Sequence, residues 1–379
     1  MPDVSSSASK PELTPVFAAV QLHFQQVIVP LWLGSGWNAA LALPYEAVDA
    51  DHQPLPPKRY RAMACARQLY LFSSLIDQPS TPDARVHAAA LFRSLQQHFH
   101  DAEYGGWFYS IDPQGGPLDR CKDLYTHAFI IFACAHYWAK VRDPLVESVL
   151  NAALNVVAER FTNGDGLYEA CLGQDWSFLD SGPLQNPLMH LAEAFLATVS
   201  VREDLPTQAA LAALVAAMQQ RFIDPVHGVI LEKPTEAVNN WFEPGHQFEW
   251  FFLLESSPLL RNSPLHASLS RAFAFTEQHG VDLQTGAVKA MLEVNGAVRD
   301  GTQRIWAQAE YLRALTLRPD SDALLARQLV ALQQRFLHPA GWHECLDADG
   351  KVSRNDMPST TPYHLATCYS GLAEYFGQP

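Results

Sequence analysis

The sequence predicts an all-α fold, a toroid of six helical hairpins written (α/α)6, and three observations carry this prediction. A helix end with a conspicuous Phe, followed by a loop with glycine, recurs along the 379 residues. A second, more apolar helical stretch follows each of these loops. Strand patterns are too short and too isolated to build a sheet. The glycines that mark the six copies are 55 to 70 residues apart: Gly36, Gly106, Gly166, Gly228, Gly286 and Gly341.

Each copy has the same anatomy. A helix-periodic stretch such as 209–222 or 322–336 ends at a Phe, and a short apolar pair follows the glycine. The second helix then begins, and the predicted second helices cover residues 122–139, 188–199, 248–254, 306–317 and 363–375. Because the second helices are richer in apolar and aromatic residues, we expect them to form the inner layer of a closed ring. An open helical-repeat array that binds a protein is the alternative.

Composition limits the classes of partner and compartment. The net charge is −14 without a block of Lys or Arg, which argues against nucleic acid and anionic membrane surfaces. No apolar run approaches the roughly 20 residues that a membrane helix needs. Residues 1–12 are polar and Ser-rich, so we predict a disordered lead-in followed by one catalytic domain over residues 13–379. The six scattered cysteines lack a CxxC pair, which favours free thiols and a cytoplasmic protein.

Reactive side chains occur at matching places in the copies, at or near the start of each second helix. In a closed ring these positions face one axial cavity, so three histidines, an arginine and two aromatic residues are expected to converge there. The six are Arg67, Tyr125, His190, His246, Trp306 and His364.

Two of these histidines are followed three residues later by a carboxylate, in the pairs His190–Glu193 and His246–Glu249. A carboxylate at this spacing can hold an imidazole in orientation and stabilise its charged form. Imidazole and carboxylate at this spacing also ligate metals in helical bundles, but such sites need further inward carboxylates, which the sequence does not assign. We therefore predict no metal.

The combination of these segments resembles the N-acylglucosamine 2-epimerase superfamily, which includes cellobiose 2-epimerases and aldose–ketose isomerases such as mannose isomerase. The segments that carry the resemblance are 66–70 (ARQLY), 105–108 (GGWF), 122–125 (KDLY), 186–194 (NPLMHLAEA), 244–254 (PGHQFEWFFLL), 306–310 (WAQAE) and 362–364 (PYH). The resemblance implies an (α/α)6 barrel and proton transfer on an open-chain sugar without a cofactor.

The resemblance also implies roles for individual residues. His246 and His364 would be the general acid–base pair, and His190 would assist ring opening or hold a hydroxyl. The expected substrate-binding set is Arg67, Tyr125, Asn186, Glu193, Trp241, Glu249, Trp306 and Glu310. Imidazole titrates near ~6.5, so one histidine can accept a proton while another donates one. Arg67 would stabilise the developing enediolate oxyanion.

One departure separates the branches of the family. Epimerases of the family carry an arginine soon after the C-terminal histidine, whereas this chain continues from His364 as Leu365-Ala366-Thr367-Cys368. This favours an aldose–ketose isomerase that converts D-mannose to D-fructose through a cis-enediolate. A 2-epimerase, a glycoside hydrolase on the same toroid and a non-catalytic sugar binder are the alternatives. We expect a small-molecule sugar as the partner, and a monomer or homodimer.

Overall fold

The computed structural model describes residues 10–377, and its first helix begins at Lys10. Most of the predicted lead-in, residues 1–9, lies outside the described residues, and residues 10–12 already belong to the helix. The α-helices are α1 (Lys10–His23), α2 (Val29–Leu33), α3 (Ala62–Ser74), α4 (Ala84–Ser94), α5 (Leu124–Val141), α6 (Pro144–Val156), α7 (Gln185–Val201), α8 (Leu205–Arg221), α9 (Pro244–Ser256), α10 (Pro264–Gly280), α11 (Ile305–Leu315), α12 (Asp322–Phe336) and α13 (Thr361–Phe376). Single π-helical turns extend three of them at Phe24–Ile28, Leu95–Phe99 and Val157–Phe161.

The same backbone hydrogen bond is found in several copies of the repeat that the sequence predicts. In four copies the carbonyl of the Phe that ends the outer helix accepts a backbone N–H from beyond the glycine loop, at 2.8 Å each time. The donor–acceptor pairs are Phe108–Phe99, Glu169–Phe161, Leu231–Phe222 and His343–Phe336. The bond satisfies a carbonyl that the helix end leaves without an intrahelical partner, and it fixes how the loop leaves the helix. The repeat is therefore confirmed as a structural unit.

Six helices form a closed circuit of contacts. Each of α3, α5, α7, α9 and α11 packs against the next, and α13 packs against both α11 and α3. Helices α4, α6, α8, α10 and α12 cover this circuit from outside, and α1 completes the outer layer by packing against α12 and α13. The circuit helices are buried around most of their circumference, as predicted for an inner layer.

Side chains near the two ends of the chain close the circuit between α3 and the start of α13. Nε2 of Gln68 donates to the carbonyl of Ser359 at 2.6 Å, and Nη1 of Arg67 lies 3.5 Å from the carbonyl of Thr360. The ring of Phe17 stacks on that of Phe376, with centroids 4.9 Å apart. The helical circuit is thus joined by contacts between residues 291 to 359 positions apart in the sequence.

Contrary to the sequence prediction, the chain contains a sheet. Its strands are β9 (Trp241–Phe242), β10 (Val281–Asp282), β11 (Ala287–Glu293), β12 (Val298–Arg304), β15 (Cys345–Leu346) and β16 (Val352–Arg354), all paired antiparallel. Buried and half-buried side chains alternate along most of β11, the pattern of a strand that covers a core on one side. Asn295-Gly296 turns the β11–β12 hairpin, with a positive φ of 86° at Gly296, and this dipeptide is the signal that predicts such a hairpin.

Short strand pairs elsewhere hold the loops. They are β1 (Trp37–Asn38) with β2 (Leu43–Pro44), β3 (Ala47–Val48) with β17 (Met357–Pro358), β4 (Tyr60–Arg61) with β5 (Ser110–Ile111) and β6 (Pro117–Asp119), β7 (Lys122–Asp123) with β8 (Cys171–Leu172), and β13 (Leu337–His338) with β14 (Gly341–Trp342). Each lies in a loop of the repeat rather than in a helical layer.

The N-terminal helical stretch corrects the expectation that no apolar run approaches the length of a membrane helix. The π-turn joins α1 and α2 into one stretch, Leu13–Leu33, of 21 residues and mean hydropathy 1.4, which is long and apolar enough to cross a membrane by length and composition. In the structure its apolar face packs into the ring, where Phe17 contacts Phe376 and Phe24 contacts Tyr369.

All six cysteines are free, as the sequence predicts. Cys65, Cys134 and Cys368 are buried, and the other three are half-buried.

Candidate active site

A cavity of about 610 Å³ opens at the end of the ring where the inner helices begin. The six side chains that the repeat places at or near the start of the inner helices all line it: Arg67, Tyr125, His190, His246, Trp306 and His364. Asn186, Trp241 and Glu249 of the predicted set line it as well. The predicted convergence is confirmed.

The remaining two members of the predicted set, Glu193 and Glu310, do not line the cavity. Both are buried beneath it and accept hydrogen bonds from cavity histidines. In this arrangement they contact the histidines instead of the cavity, so we assign them to positioning rather than to direct contact with a ligand.

His246 lies in the first turn of α9, because Pro244 at the first helical position starts that helix four residues earlier than predicted. Its Nδ1 is 2.8 Å from Oε1 of Glu232, which precedes the helix in the chain. The expected partner, Glu249, instead lies with its Oε1 3.8 Å from Nδ1 of His190. Side chains in a first helical turn lean towards the N-terminus, so His246 turns to the preceding segment and away from the next turn.

Glu232 and Glu243 set the protonation of His246. Burial alone lowers the pKa of a histidine, but the negative charges of these two glutamates outweigh it and raise the pKa of His246 to about 9. At neutral pH this residue is therefore an imidazolium, a proton donor.

His364 is in the opposite state. Its Nδ1 is 2.8 Å from Oε1 of Glu310, and this acceptor favours the tautomer with the proton on Nδ1, which leaves the lone pair on Nε2. Burial, together with the nearby charge of Arg67, keeps the pKa of His364 well below its usual value. Burial also raises the pKa of Glu310 to about 7, whereas Arg313, 3.3 Å from Oε2, favours the carboxylate form that accepts this hydrogen bond.

The indole of Trp306 lies between these two histidines. Its centroid is 5.1 Å from that of His246 and 5.5 Å from that of His364, with interplanar angles of 34° and 35°. A proton donor and a proton acceptor thus flank one flat apolar surface, which suits a ligand that exchanges protons at neighbouring atoms.

His190 is the third histidine that lines the cavity. Its Nδ1 is 3.2 Å from Oε2 of Glu193, which also accepts the hydroxyl of Tyr363. This pair has the i, i+3 geometry that the sequence predicts. Burial lowers the pKa of His190 to about 4, so it is neutral at physiological pH.

Arg67 supplies a fixed positive charge at the cavity wall. Its Nη2 donates to the hydroxyl of Tyr125 at 2.6 Å, and its guanidinium lies 4.3 Å from the ring centroid of Phe129. The structure gives Arg67 no carboxylate within ion-pair distance among the described residues. Its charge is therefore available to a developing anion in the cavity.

A layer of buried charges supports the histidines from below. Arg313 lies 3.3 Å from Oε2 of Glu310, and it also stabilises the ionised forms of Glu193 and Glu249. Despite this, burial and the neighbouring carboxylates raise the pKa of Glu249 well above its usual value. Neither carboxylate oxygen of Glu249 has a hydrogen-bond partner within residues 10–377.

Three groups of side chains have ligand atoms close enough to hold a metal ion: His190 with Glu193 and Glu249, Glu232 with Glu243 and His246, and Glu249 with Glu310 and His364. Each group contains one cavity histidine, and in each the Nδ1 atom already contacts a carboxylate. As they stand, the groups serve as histidine–carboxylate pairs.

The sequence analysis missed several lining residues, including Glu232, Glu243, Arg304 and Glu344. Glu232 and Glu344 each directly follow the residue whose N–H binds the Phe carbonyl of its copy. The shared acid after the glycine loop was a signal that could have found both.

Gly245, between Pro244 and His246, is required by the close approach of Trp306. A Cβ at this position would lie 2.6 Å from Cη2 of that indole and 2.9 Å from Cβ of Ala307. We expect Gly245→Ala to displace the indole from between the histidines and to lower kcat/KM by about 10- to 100-fold. Steady-state kinetics with D-mannose, the substrate predicted from the sequence, measures the effect, with near-UV circular dichroism to show that the fold is kept.

Gly164→Ala is the control for that substitution. Gly164 has a positive φ of 88°, but a Cβ there meets no atom within 4 Å. Some stability should be lost and turnover should stay the same. Native kinetics in Gly245→Ala would show that the position of the indole does not matter.

Comparison with known proteins identifies the family and several relatives of this chain. Residues 44–368 match the family model of N-acylglucosamine 2-epimerase. The chain is 28% identical over 368 residues to a mannose-6-phosphate isomerase of Rhizobium meliloti, covering 89% of this chain and 91% of the relative. It is 23% identical over 375 residues to a cellobiose 2-epimerase of Bacteroides fragilis, covering 89% and 93%. A crystal structure of a D-mannose isomerase superposes with a TM-score of 0.82 at 20% identity, covering 99% of this chain and 100% of that one.

The fold and the relatives define an enzyme of the sugar isomerase and epimerase class. The chain belongs to the N-acylglucosamine 2-epimerase family.

Proposed function

We propose that the protein is an (α/α)6-barrel aldose–ketose isomerase that interconverts D-mannose and D-fructose in one catalytic domain. The observation that carries this proposal is the pair of histidines of opposite protonation, protonated His246 and neutral His364, on either side of Trp306. Isomerisation of an open-chain aldose needs a base at C2 and an acid at the carbonyl oxygen in the same step.

The two histidines divide the proton transfers in this mechanism. Nε2 of His364 takes the proton from C2 while His246 gives a proton to O1, which produces the cis-enediol. The proton on His364 exchanges with solvent, and His364 then delivers a proton to C1 while His246 recovers one from O2, which leaves the ketose and restores both histidines. Arg67 stabilises the negative charge that develops on the oxygens. His190 and Asn186, whose Oδ1 has no hydrogen-bond partner within the described chain, hold hydroxyl groups.

A 2-epimerase is the second candidate, because the cellobiose 2-epimerase relative matches over nearly the same extent as the isomerase relative. Epimerisation returns the proton to the opposite face of C2, so the two imidazoles would have to act on opposite faces of the enediolate. His364 continues into Leu365-Ala366-Thr367 without an arginine, which supports the isomerase.

Incubation of mannose in heavy water, followed by NMR, separates these reactions. We expect fructose with deuterium at C1, formed equally well with EDTA present because no metal takes part in the proposed steps. Glucose with deuterium at C2 would show an epimerase. Absence of both exchange and product would overturn catalysis on this sugar, and release of reducing ends from a mannose disaccharide would indicate a hydrolase.

The pH dependence follows from His246. A raised pKa means that the proton is held up to about pH 9, so we expect kcat to fall as pH rises through about 9. The contribution of this charge to the free energy of unfolding is fully present below pH 6.5 and is lost as the pH rises from there through about 9. Glu232→Gln removes the strongest raising charge, so the alkaline limb of the pH–rate profile should move to lower pH. An unmoved limb would assign it to another group.

A further inference from the structure

Glu232 and Glu344 occupy the same position in two copies of the repeat. The preceding residues, Leu231 and His343, each donate their N–H to the Phe carbonyl that ends an outer helix, at 2.8 Å. The carbonyls of the two glutamates in turn accept the N–H of Gln185 and Ile305, the first residues of α7 and α11, at 3.1 and 3.2 Å. Both side chains line the cavity.

The two carboxylates have different partners. Glu232 is bonded to His246, the proposed acid. Glu344 has no histidine, because His364 is bonded to Glu310 of α11 instead. Equivalent positions thus carry one carboxylate engaged with a histidine and one that is not.

Glu344 is nevertheless held in a fixed orientation. Its Oε2 accepts Oγ1 of Thr361 at 2.8 Å and Nε1 of Trp342 at 2.9 Å, and the residue is 7% exposed. Its Oε1 has no hydrogen bond within the described chain, and Glu344 is one of the residues that line the cavity. Two donors on one oxygen therefore fix the other oxygen as an acceptor for a ligand.

We propose that Glu344 binds a hydroxyl of the sugar away from C1 and C2 and thereby sets which sugars the enzyme accepts. Thr361, which holds the carboxylate, is the first residue of α13 and precedes His364, the proposed base, by about one helical turn, ~5 Å along the helix axis. This distance suits a hydroxyl further along the chain of a sugar whose C2 faces His364. The assignment rests on the proposed function of the cavity.

The chemistry makes such a contact selective. A site built to receive a hydroxyl rejects an analogue that lacks it, because the buried acceptor then has no partner. Burial raises the pKa of Glu344, and the hydrogen bonds from Trp342 and Thr361 only partly offset this effect. Because the carboxylate is buried, leaving its charged form without a further donor costs free energy.

The test compares mannose with its 3-deoxy, 4-deoxy and 6-deoxy analogues. The wild-type enzyme should show a kcat/KM about 10- to 100-fold lower for one of the three than for mannose. Glu344→Gln should lower kcat/KM for mannose by a similar factor, chiefly through KM, and leave that analogue unaffected. Glu344→Asp, which keeps the charge but shortens the side chain, should fall between the two.

The outcomes are distinguishable. If the wild-type enzyme isomerises none of the four sugars, the proposed function fails. If it isomerises mannose but Glu344→Gln lowers kcat/KM for all four sugars equally, Glu344 is only structural and this inference fails alone. Should Glu344→Gln not fold, Glu344→Asp carries the same comparison. Glu255→Gln, an acid on the outer rim paired with His266, is the matched control and should match the wild type.

Discussion

Replacement of His364 with alanine is expected to lower kcat for mannose by about 10²- to 10⁴-fold, the range that one positioned acid–base group supplies. The same variant should also lose exchange of deuterium into C2, because the base that opens the C2–H bond is gone. His246→Ala should lower kcat by a comparable factor. Steady-state kinetics and NMR exchange in heavy water measure both quantities on the same samples.

His266→Ala is the matched control. This histidine is hydrogen-bonded to a glutamate, as the cavity histidines are, with Nε2 2.6 Å from Oε2 of Glu255, but it lies outside the cavity. Its turnover should remain within about twofold of the wild-type value. Near-native turnover in His364→Ala would refute the proposed mechanism.

Arg313→Met is expected to lower the free energy of unfolding by about 3–5 kcal/mol, the loss that follows when one partner of a buried ion pair is removed. Arg313 is buried, lies 3.3 Å from Glu310 and stabilises the ionised forms of two further buried carboxylates, Glu193 and Glu249. Methionine fills similar space without the charge, so these acids must be protonated or remain uncompensated. Urea-induced unfolding followed by circular dichroism measures the difference.

Arg261→Met tests whether burial is the cause. Arg261 is about half exposed and lies 3.8 Å from Glu255. A surface pair of this kind contributes roughly 0–1 kcal/mol. If both variants lost the same free energy of unfolding, burial among the charges beneath the cavity would not make the ion pair of Arg313 more stabilising than a surface pair.

The architecture was predictable because the sequence contains six copies of one helical repeat. The Phe that ends a helix and the glycine that follows are local signals, and the hydrogen bond that links them is a local interaction. Closure of the ring then places equivalent positions around one axis. Arg67 and His364 could therefore be assigned to one cavity, although they are nearly 300 residues apart in the sequence.

The partners of the histidines were harder to predict. Glu232 and Glu310 reach His246 and His364 from separate segments, 14 and 54 residues away, and no helical spacing encodes those contacts. The sequence pattern favoured Glu249 for His246 because it assumes that neighbours on a helix face meet. The β11–β12 hairpin was missed for a different reason, since its Asn-Gly turn lies in a loop between two helices of the sixfold period.

The bonds between α3 and the start of α13 have a consequence for biosynthesis. During translation, the segments that carry Arg67, His190 and His246 leave the ribosome first, and they can pack locally as they appear. His364 and the carbonyls of Ser359 and Thr360 follow only after residues 1–358 of this sequence have been made. A nascent or truncated chain can therefore hold most of the helices and most of the cavity wall and still lack His364, the proposed proton acceptor. The proposed catalytic pair is complete only when the segment that carries His364 has docked against α3.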